Sequence, residues 1–318
     1  MKSLLFSLLI LTSLNLFAQE VSSGKLIVLD SVDSQFVAPR TVRIWLPNQY
    51  ETWLKNKEPI ATVYMHDGQM LFDSKTTWNG QEWGVDETLS RLFDNDLLVP
   101  FIVVGIDNGG SLLRHAEYFP QQPFESLASN YQQELYQLGR GDRLLFGGNK
   151  VQSDAYLKFI VEELKPLIQS RFKTSSDPKY NALLGSSMGG LISWYGLMEY
   201  PEEFRRAASI STHWPGTMAV DDKRIINAFE NYISTSLTYL DGMRWYMDYG
   251  DAELDSLYPP LQAQISQAID SLGLPKQSYT VRFYPGEDHS ENAWRKRLET
   301  PILYIMGKAT FTPIDYQK

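Results

Sequence analysis

The chain contains no cysteine, so neither a disulfide nor a thiolate zinc site can form, and there is no cysteine to carry a lipid anchor. Histidine is scarce too. His66, His115, His213 and His289 are the four present, which leaves few candidates for a general base. Basic stretches are also missing. With 29 Lys and Arg against 38 Asp and Glu the formal net charge is −9, and nothing in the chain is suited to releasing counterions from a polyphosphate. Nucleic acid is therefore excluded as an expected partner. One long apolar run exists, Leu4 to Phe17, behind Lys2 and ahead of Ala18-Gln19-Glu20. It is short for a bilayer span and stands at the extreme N-terminus, which predicts a signal peptide over residues 1–18 and a secreted or periplasmic product with no membrane attachment after cleavage. Removing those residues takes away only the charge of Lys2 and leaves −10.

With no internal repeat and no low-complexity linker, residues 19–318 read as one domain. Lys25–Asp30 and Phe36–Leu46 read as antiparallel strands. Pro59–Met65 and Val99–Ile106 are apolar runs closed by His66-Asp67-Gly68 and Asp107-Asn108-Gly109-Gly110, the pattern of strands buried on both faces. Leu157, Ile160, Val161, Leu164, Leu167 and Ile168 follow a helical period behind a candidate cap at Asp154. Further strands are expected at Tyr180–Leu184, Arg206–Ile210, Arg244–Tyr249 and Tyr279–Tyr284, with helices at Met188–Glu199, Leu261–Ser271 and Glu291–Met306. This alternation predicts a mostly parallel central sheet with helices on both faces, and ligands beyond the carboxyl ends of the strands. The stretch Pro120–Gln152 breaks the rhythm and is expected to pass over the sheet as part of a pocket wall or as a plain surface loop.

The segment Leu184-Gly185-Ser186-Ser187-Met188-Gly189-Gly190 contains Gly-x-Ser-x-Gly. A bare match arises by chance in roughly one chain in ten of this length. Here an apolar strand leads directly into it and a helix-like stretch leads out, the setting of a nucleophile elbow in an α/β-hydrolase fold. A serine hydroxyl needs a base, and this fold orders its residues Ser, acid, His. That favours His289, beyond the last strand, over His213, which leaves no strand in between for the acid and reads as a pocket or strand-end residue. The acid is expected after the strand ending at Tyr249, where Asp248, Asp251, Glu253 and Asp255 stand close together. Asp248 reads as strand and Asp255 as a helix cap, which leaves Asp251 and Glu253. An oxyanion hole is expected from the amide of Met188 and the His66-Asp67-Gly68-Gln69 loop.

The segments Tyr64-Met65-His66-Asp67-Gly68-Gln69-Met70-Leu71-Phe72-Asp73, Glu82-Trp83-Gly84-Val85-Asp86-Glu87-Thr88, Val103-Val104-Gly105-Ile106-Asp107-Asn108, Arg114-His115-Ala116-Glu117-Tyr118-Phe119-Pro120 and His289-Ser290-Glu291-Asn292-Ala293-Trp294, together with the elbow, resemble the esterase D and ferric enterobactin esterase-like branch of the α/β hydrolases. Feruloyl and acetyl-xylan esterases also belong to that branch. The resemblance runs from about residue 60 to 300. It implies Ser187 as nucleophile, His289 as base, and an oxyanion hole using the amide of Gly68 or Gln69. Counting three residues on from Gly250 puts the acid at Glu253, where relatives more often carry Asp, with Asp251 as the rival. It implies no cofactor and no metal. Trp78, Trp83, Arg114, Tyr118, His213 and Trp214 lie near strand ends and are candidates for the pocket, Arg114 either meeting a substrate anion or pairing with Glu117. The expected activity is an exported serine carboxylic-ester hydrolase acting on a small aryl, sugar-linked or siderophore-type ester. An acyltransferase with the same residues, or a non-catalytic carbohydrate-binding relative, are the alternatives. Oligomeric state is not legible.

Overall fold

A computed structural model describes residues 20–218 and 222–309. The expected signal peptide lies outside the described residues. Among them, no helix is long and apolar enough to cross a membrane.

Among the described residues ten strands form: β1 (Lys25–Val32), β2 (Arg40–Leu46), β3 (Ala61–His66), β4 (Phe101–Ile106), β5 (Gly139–Arg140), β6 (Arg143–Leu144), β7 (Asn181–Ser186), β8 (Arg206–Ile210), β9 (Arg244–Tyr249) and β10 (Tyr279–Phe283). β5 and β6 make a small hairpin, and the other eight lie in one sheet in the order β1-β2-β4-β3-β7-β8-β9-β10. β2 runs antiparallel to β1 and β4, and all other neighbours are parallel. Every residue of β3, β4 and β7 is buried. Successive strand residues face opposite sides, so these three strands are covered on both faces, as their uninterrupted apolar sequences require. This is the α/β architecture expected from the alternating pattern. It also sets the order of the loops at one end of the sheet. The turn after β7, which holds Ser187, sits between the turn after β3 and the turn after β8, with those of β9 and β10 following.

Two helices depart from their sequence reading, both at proline. The expected helix around Leu157–Ile168 starts at Ser153, with Gln152 rather than Asp154 at the cap position and no side-chain cap bond. It widens to a π-helix over Phe159–Leu164 before resuming over Lys165–Phe172. Pro166 has no N–H to offer the preceding turn and its ring crowds the carbonyl four residues back, so a wider turn relieves it. The final helix divides into Glu291–Arg297 and Glu299–Met306. Pro301 cannot donate to the Arg297 carbonyl, which accounts for the break. The stretch 120–152 folds as two short helices and the β5–β6 hairpin, pinned by an aromatic cluster in which Phe146 lies 5.7 Å from Phe119 and 5.4 Å from Tyr136.

β2 is joined to the helix Gly110–Tyr118 by a buried ion pair. Arg40 donates from Nη2 and Nη1 to the two Glu117 carboxylate oxygens at 2.6 and 3.0 Å. Arg40→Met would strand the Glu117 charge in the core and is expected to lower the unfolding free energy by about 3–5 kcal/mol. Arg40→Met/Glu117→Leu should recover most of that loss. Urea titration of both variants checks this, and an equal loss in the double variant would disprove it.

Candidate active site

Ser187 occupies the bend between β7 and the helix Met188–Glu199 with φ 57° and ψ −122°. A non-glycine residue there is strained by about 1–3 kcal/mol, and the surroundings hold it. The Ser187 amide donates to Ile210 at 2.9 Å, and its carbonyl accepts from the amides of Gly190, Leu191 and His213. Strand and helix cross so closely that a Cβ on Gly185 would lie 2.7 Å from the Gly189 carbonyl, so only glycine fits.

His289 stands in the loop between β10 and the helix Glu291–Arg297, whose Ser290 cap accepts from Ala293 N. Its ring is held edge-on between Tyr258 and Trp294, at centroid distances of 5.6 and 5.1 Å. Its Nδ1 lies 2.6 Å from Asp255 Oδ1. The other oxygen, Oδ2, accepts from Ser211 Oγ at 2.5 Å and from Gly250 N at 2.9 Å. Burial pushes the Asp255 carboxyl up, but the hydrogen bond and charge of His289, with the Ser211 and Gly250 donors, outweigh it and hold it below the ordinary carboxylate range. An ionised Asp255 accepts the Nδ1 proton, which leaves the Nε2 lone pair as the free base. Ser187 Oγ and His289 Nε2 have no hydrogen-bond partner among the described residues, and both side chains are partly exposed.

The carboxylate at His289 is therefore Asp255, and the expectation of Glu253 or Asp251 is corrected. Glu253 is exposed and opens the 3₁₀ turn Glu253–Leu257. At three residues per turn, side chains two apart point about 120° away from each other, so Glu253 and Asp255 cannot both face the imidazole. Asp251 accepts instead from Gly286 N at 2.6 Å.

The other three histidines are structural. His213 lies 2.8 Å by Nδ1 from Tyr258 OH and 3.1 Å by Nε2 from the Thr217 carbonyl, so both nitrogens are occupied. Burial, then the neighbouring His289 charge, pushes it down to about 3. Burial also holds His66 at about 3, beside Tyr156, and His115 well below the ordinary range. His213 still serves geometry. Its amide meets the Ser187 carbonyl, and its ring bonds Tyr258, which packs on His289.

On the other side of the elbow, Asp67 takes φ 58° and Gly68 begins a short 3₁₀ turn. A Cβ on Gly68 would come within 2.6 Å of the Gly105 backbone, so glycine is required for the loop to lie on β4. A Cβ on Gly189 would lie 3.3 Å from Asp67 Oδ2, which sets this loop against the start of the elbow helix. The amides of Gly68, Gln69 and Met188 donate to no acceptor among the described residues. Asp67 is clamped by Arg114, donating from Nε and Nη2 at 2.6 and 2.8 Å, and by Asn108 Nδ2 at 2.6 Å. Arg114 thus pairs with Asp67 rather than Glu117, whose partner is Arg40.

Most of the expected pocket aromatics are buried. Trp214 is buried, donates to Gln262 and stacks on Trp194. Trp83 is buried against Trp294, and Tyr118 is buried beside His66. Trp78 is the exception at 84% exposed. Its loop is tied to the first residue of the helix after His289 by Asn79 Nδ2 donating to Glu291 at 2.8 Å. Among the described residues no group of three or more metal-binding side chains converges.

Residues 34–304 match the family described as "Putative esterase". The chain is 27% identical over 276 residues to "Uncharacterized protein YbbA" of Bacillus subtilis (strain 168), covering 85% of this chain and 93% of that one. Its fold is similar to an IroE-like serine hydrolase from Shewanella oneidensis, with TM-score 0.65, 21% identity and coverage of 88% and 79%. It is also similar to a ferulic acid esterase, with TM-score 0.59, 16% identity and coverage of 88% and 97%. The match over residues 34–304 shows that the chain belongs to this esterase family of carboxylic-ester hydrolases.

Proposed function

We propose that the protein is an exported serine hydrolase that cleaves a small aryl, sugar-linked or siderophore-type carboxylic ester through an acyl-enzyme. The observation that carries this reading is the Asp255 carboxylate 2.6 Å from His289 Nδ1, with Nε2 left free and Ser187 on its strained bend. In the proposed reaction Ser187 Oγ attacks the ester carbonyl while His289 Nε2 takes its proton. The oxyanion is held by the Met188 amide at the positive end of the elbow helix and by the Gly68 or Gln69 amide. The alkoxide leaves with the proton returned by His289, and water, activated by the same imidazole, releases the acid. Arg114 acts by fixing Asp67 and with it the oxyanion loop. Trp78, exposed next to Asn79, which bonds Glu291, offers a face on which an aromatic or sugar ring can stack. Export rests on Lys2 and the Leu4–Phe17 run.

The purified protein is expected to hydrolyse p-nitrophenyl acetate and to take up one fluorophosphonate per chain. Peptide mass spectrometry should find the adduct on Ser187, with turnover lost in proportion to labelling. An adduct elsewhere, or full turnover in labelled protein, would refute the assignment.

A further inference from the structure

Behind Asp255 lies a second set of buried charges that the proposed reaction does not use directly. Ser211 directly follows β8 with φ 40° and is fully buried. Its hydroxyl has one proton, which goes to Asp255 Oδ2, and it accepts from Arg297 Nη2 at 2.7 Å. The chain of donors therefore has a fixed direction, from Arg297 through Ser211 to Asp255, with His289 donating from the far side. Arg297 Nη2 also meets Asp248 Oδ1 at 3.2 Å, with both side chains almost wholly buried. Asp248 in turn accepts from Ser211 N at 3.1 Å and Tyr246 OH at 3.0 Å. Nε and Nη1 of Arg297 are buried and have no partner among the described residues, a costly placement for a side chain that only fills space.

Asp255 and Asp248 are negative and Arg297 positive, so the cluster carries −1 while His289 is neutral and zero once His289 is an imidazolium. We propose, building on the Ser187–His289–Asp255 reading, that Arg297 and Asp248 are positioning residues that set the basicity of His289 through Ser211 and Asp255. Arg297 draws the Asp255 charge away from the imidazole and weakens its hold on the proton; Asp248 opposes Arg297 and strengthens it. Arg297 feels the charge of both carboxylates, which raises it against the effect of burial. The other groups facing His289 are Tyr258 and, from the loop after β8, the neutral His213. Within its own loop, Asp288 accepts from Ser290 Oγ and Glu287 pairs with Lys296. Arg297 also faces Tyr284, whose ring centroid lies 5.0 Å from it.

The two single substitutions should move the pH profile in opposite directions. Activity requires neutral His289, so kcat/KM falls as pH drops through its pKa. Arg297→Met removes the positive charge and should raise that acid limb by about one unit. Asp248→Asn should lower it by about one unit, and Arg297→Lys should leave it near the parent value. Removing one buried charge can unfold the chain, so the double variant Arg297→Met/Asp248→Asn is included, with its limb expected near that of the parent. The His289 imidazole is also titrated by 15N NMR in each variant on a Ser187→Ala background, which needs no turnover. Opposite shifts in that titration support the inference even if the esterase reaction itself fails. Unmoved or same-direction shifts overturn it, including where kcat falls, because loss of packing alone lowers turnover without moving the pKa.

Discussion

Asp255→Asn is expected to lower kcat on p-nitrophenyl acetate by about 10³- to 10⁴-fold, with Glu253→Ala and Asp251→Ala within about threefold of the parent. The carboxylate accepts the Nδ1 proton at 2.6 Å and so fixes the tautomer that leaves Nε2 as a base. An asparagine can turn its NH₂ toward Nδ1, which then becomes the acceptor and moves the proton to Nε2, the wrong nitrogen for accepting from serine. It also removes the charge that balances the imidazolium. The side chain keeps nearly the same shape, so the fold should survive and the loss should appear in turnover. Glu253 is solvent-exposed and Asp251 only braces Gly286, so neither substitution changes the imidazole. Steady-state kinetics on the three variants, with thermal melts as a folding control, decide the matter. A loss in Glu253→Ala matching that in Asp255→Asn would restore Glu253 as the acid.

This is where the sequence was hardest to read. The strands that carry the site were legible because strands buried on both faces are continuous apolar runs. β7 and β8 fall within a residue or two of expectation, and Ser187, His289 and the Gly68 loop all emerge at strand ends. The carboxylate that meets His289 was not legible because four stand within eight residues, and a 3₁₀ turn chooses among them. Its start at Glu253, with φ 51°, has no residue-type signature, and counting from Gly250 gives the wrong residue by two. Ser211 and Arg297 left no local signal either, since they meet Asp255 and Asp248 only through the register of β8 beside β9 and the placement of the final helices. The aromatics misled for a related reason. A Trp or Tyr near a strand end serves equally as a pocket wall or as a plug under a loop, and Trp83, Tyr118 and Trp214 are plugs. Pro166 and Pro301, at which two helices change, stand in plain view in the sequence, but apolar periodicity runs through both without a break.

Ser187→Ala should reduce kcat on the same ester by about 10⁴- to 10⁶-fold and abolish fluorophosphonate labelling. The residual rate reflects what the oxyanion amides and binding supply without a nucleophile. Stability should scarcely change. The strain at Ser187 lies in its backbone, which alanine keeps, and the hydroxyl donates to no acceptor among the described residues, so its removal strands no partner. Large loss of turnover with an unchanged melting temperature separates the chemical role from a structural one. His289→Ala should cost about as much, and Ser187→Ala/His289→Ala little more than either alone, because two groups acting on one proton transfer are lost together. Additive losses in the double variant would mean that the two side chains work in separate steps. A Ser187→Ala protein with parental turnover would require another nucleophile altogether.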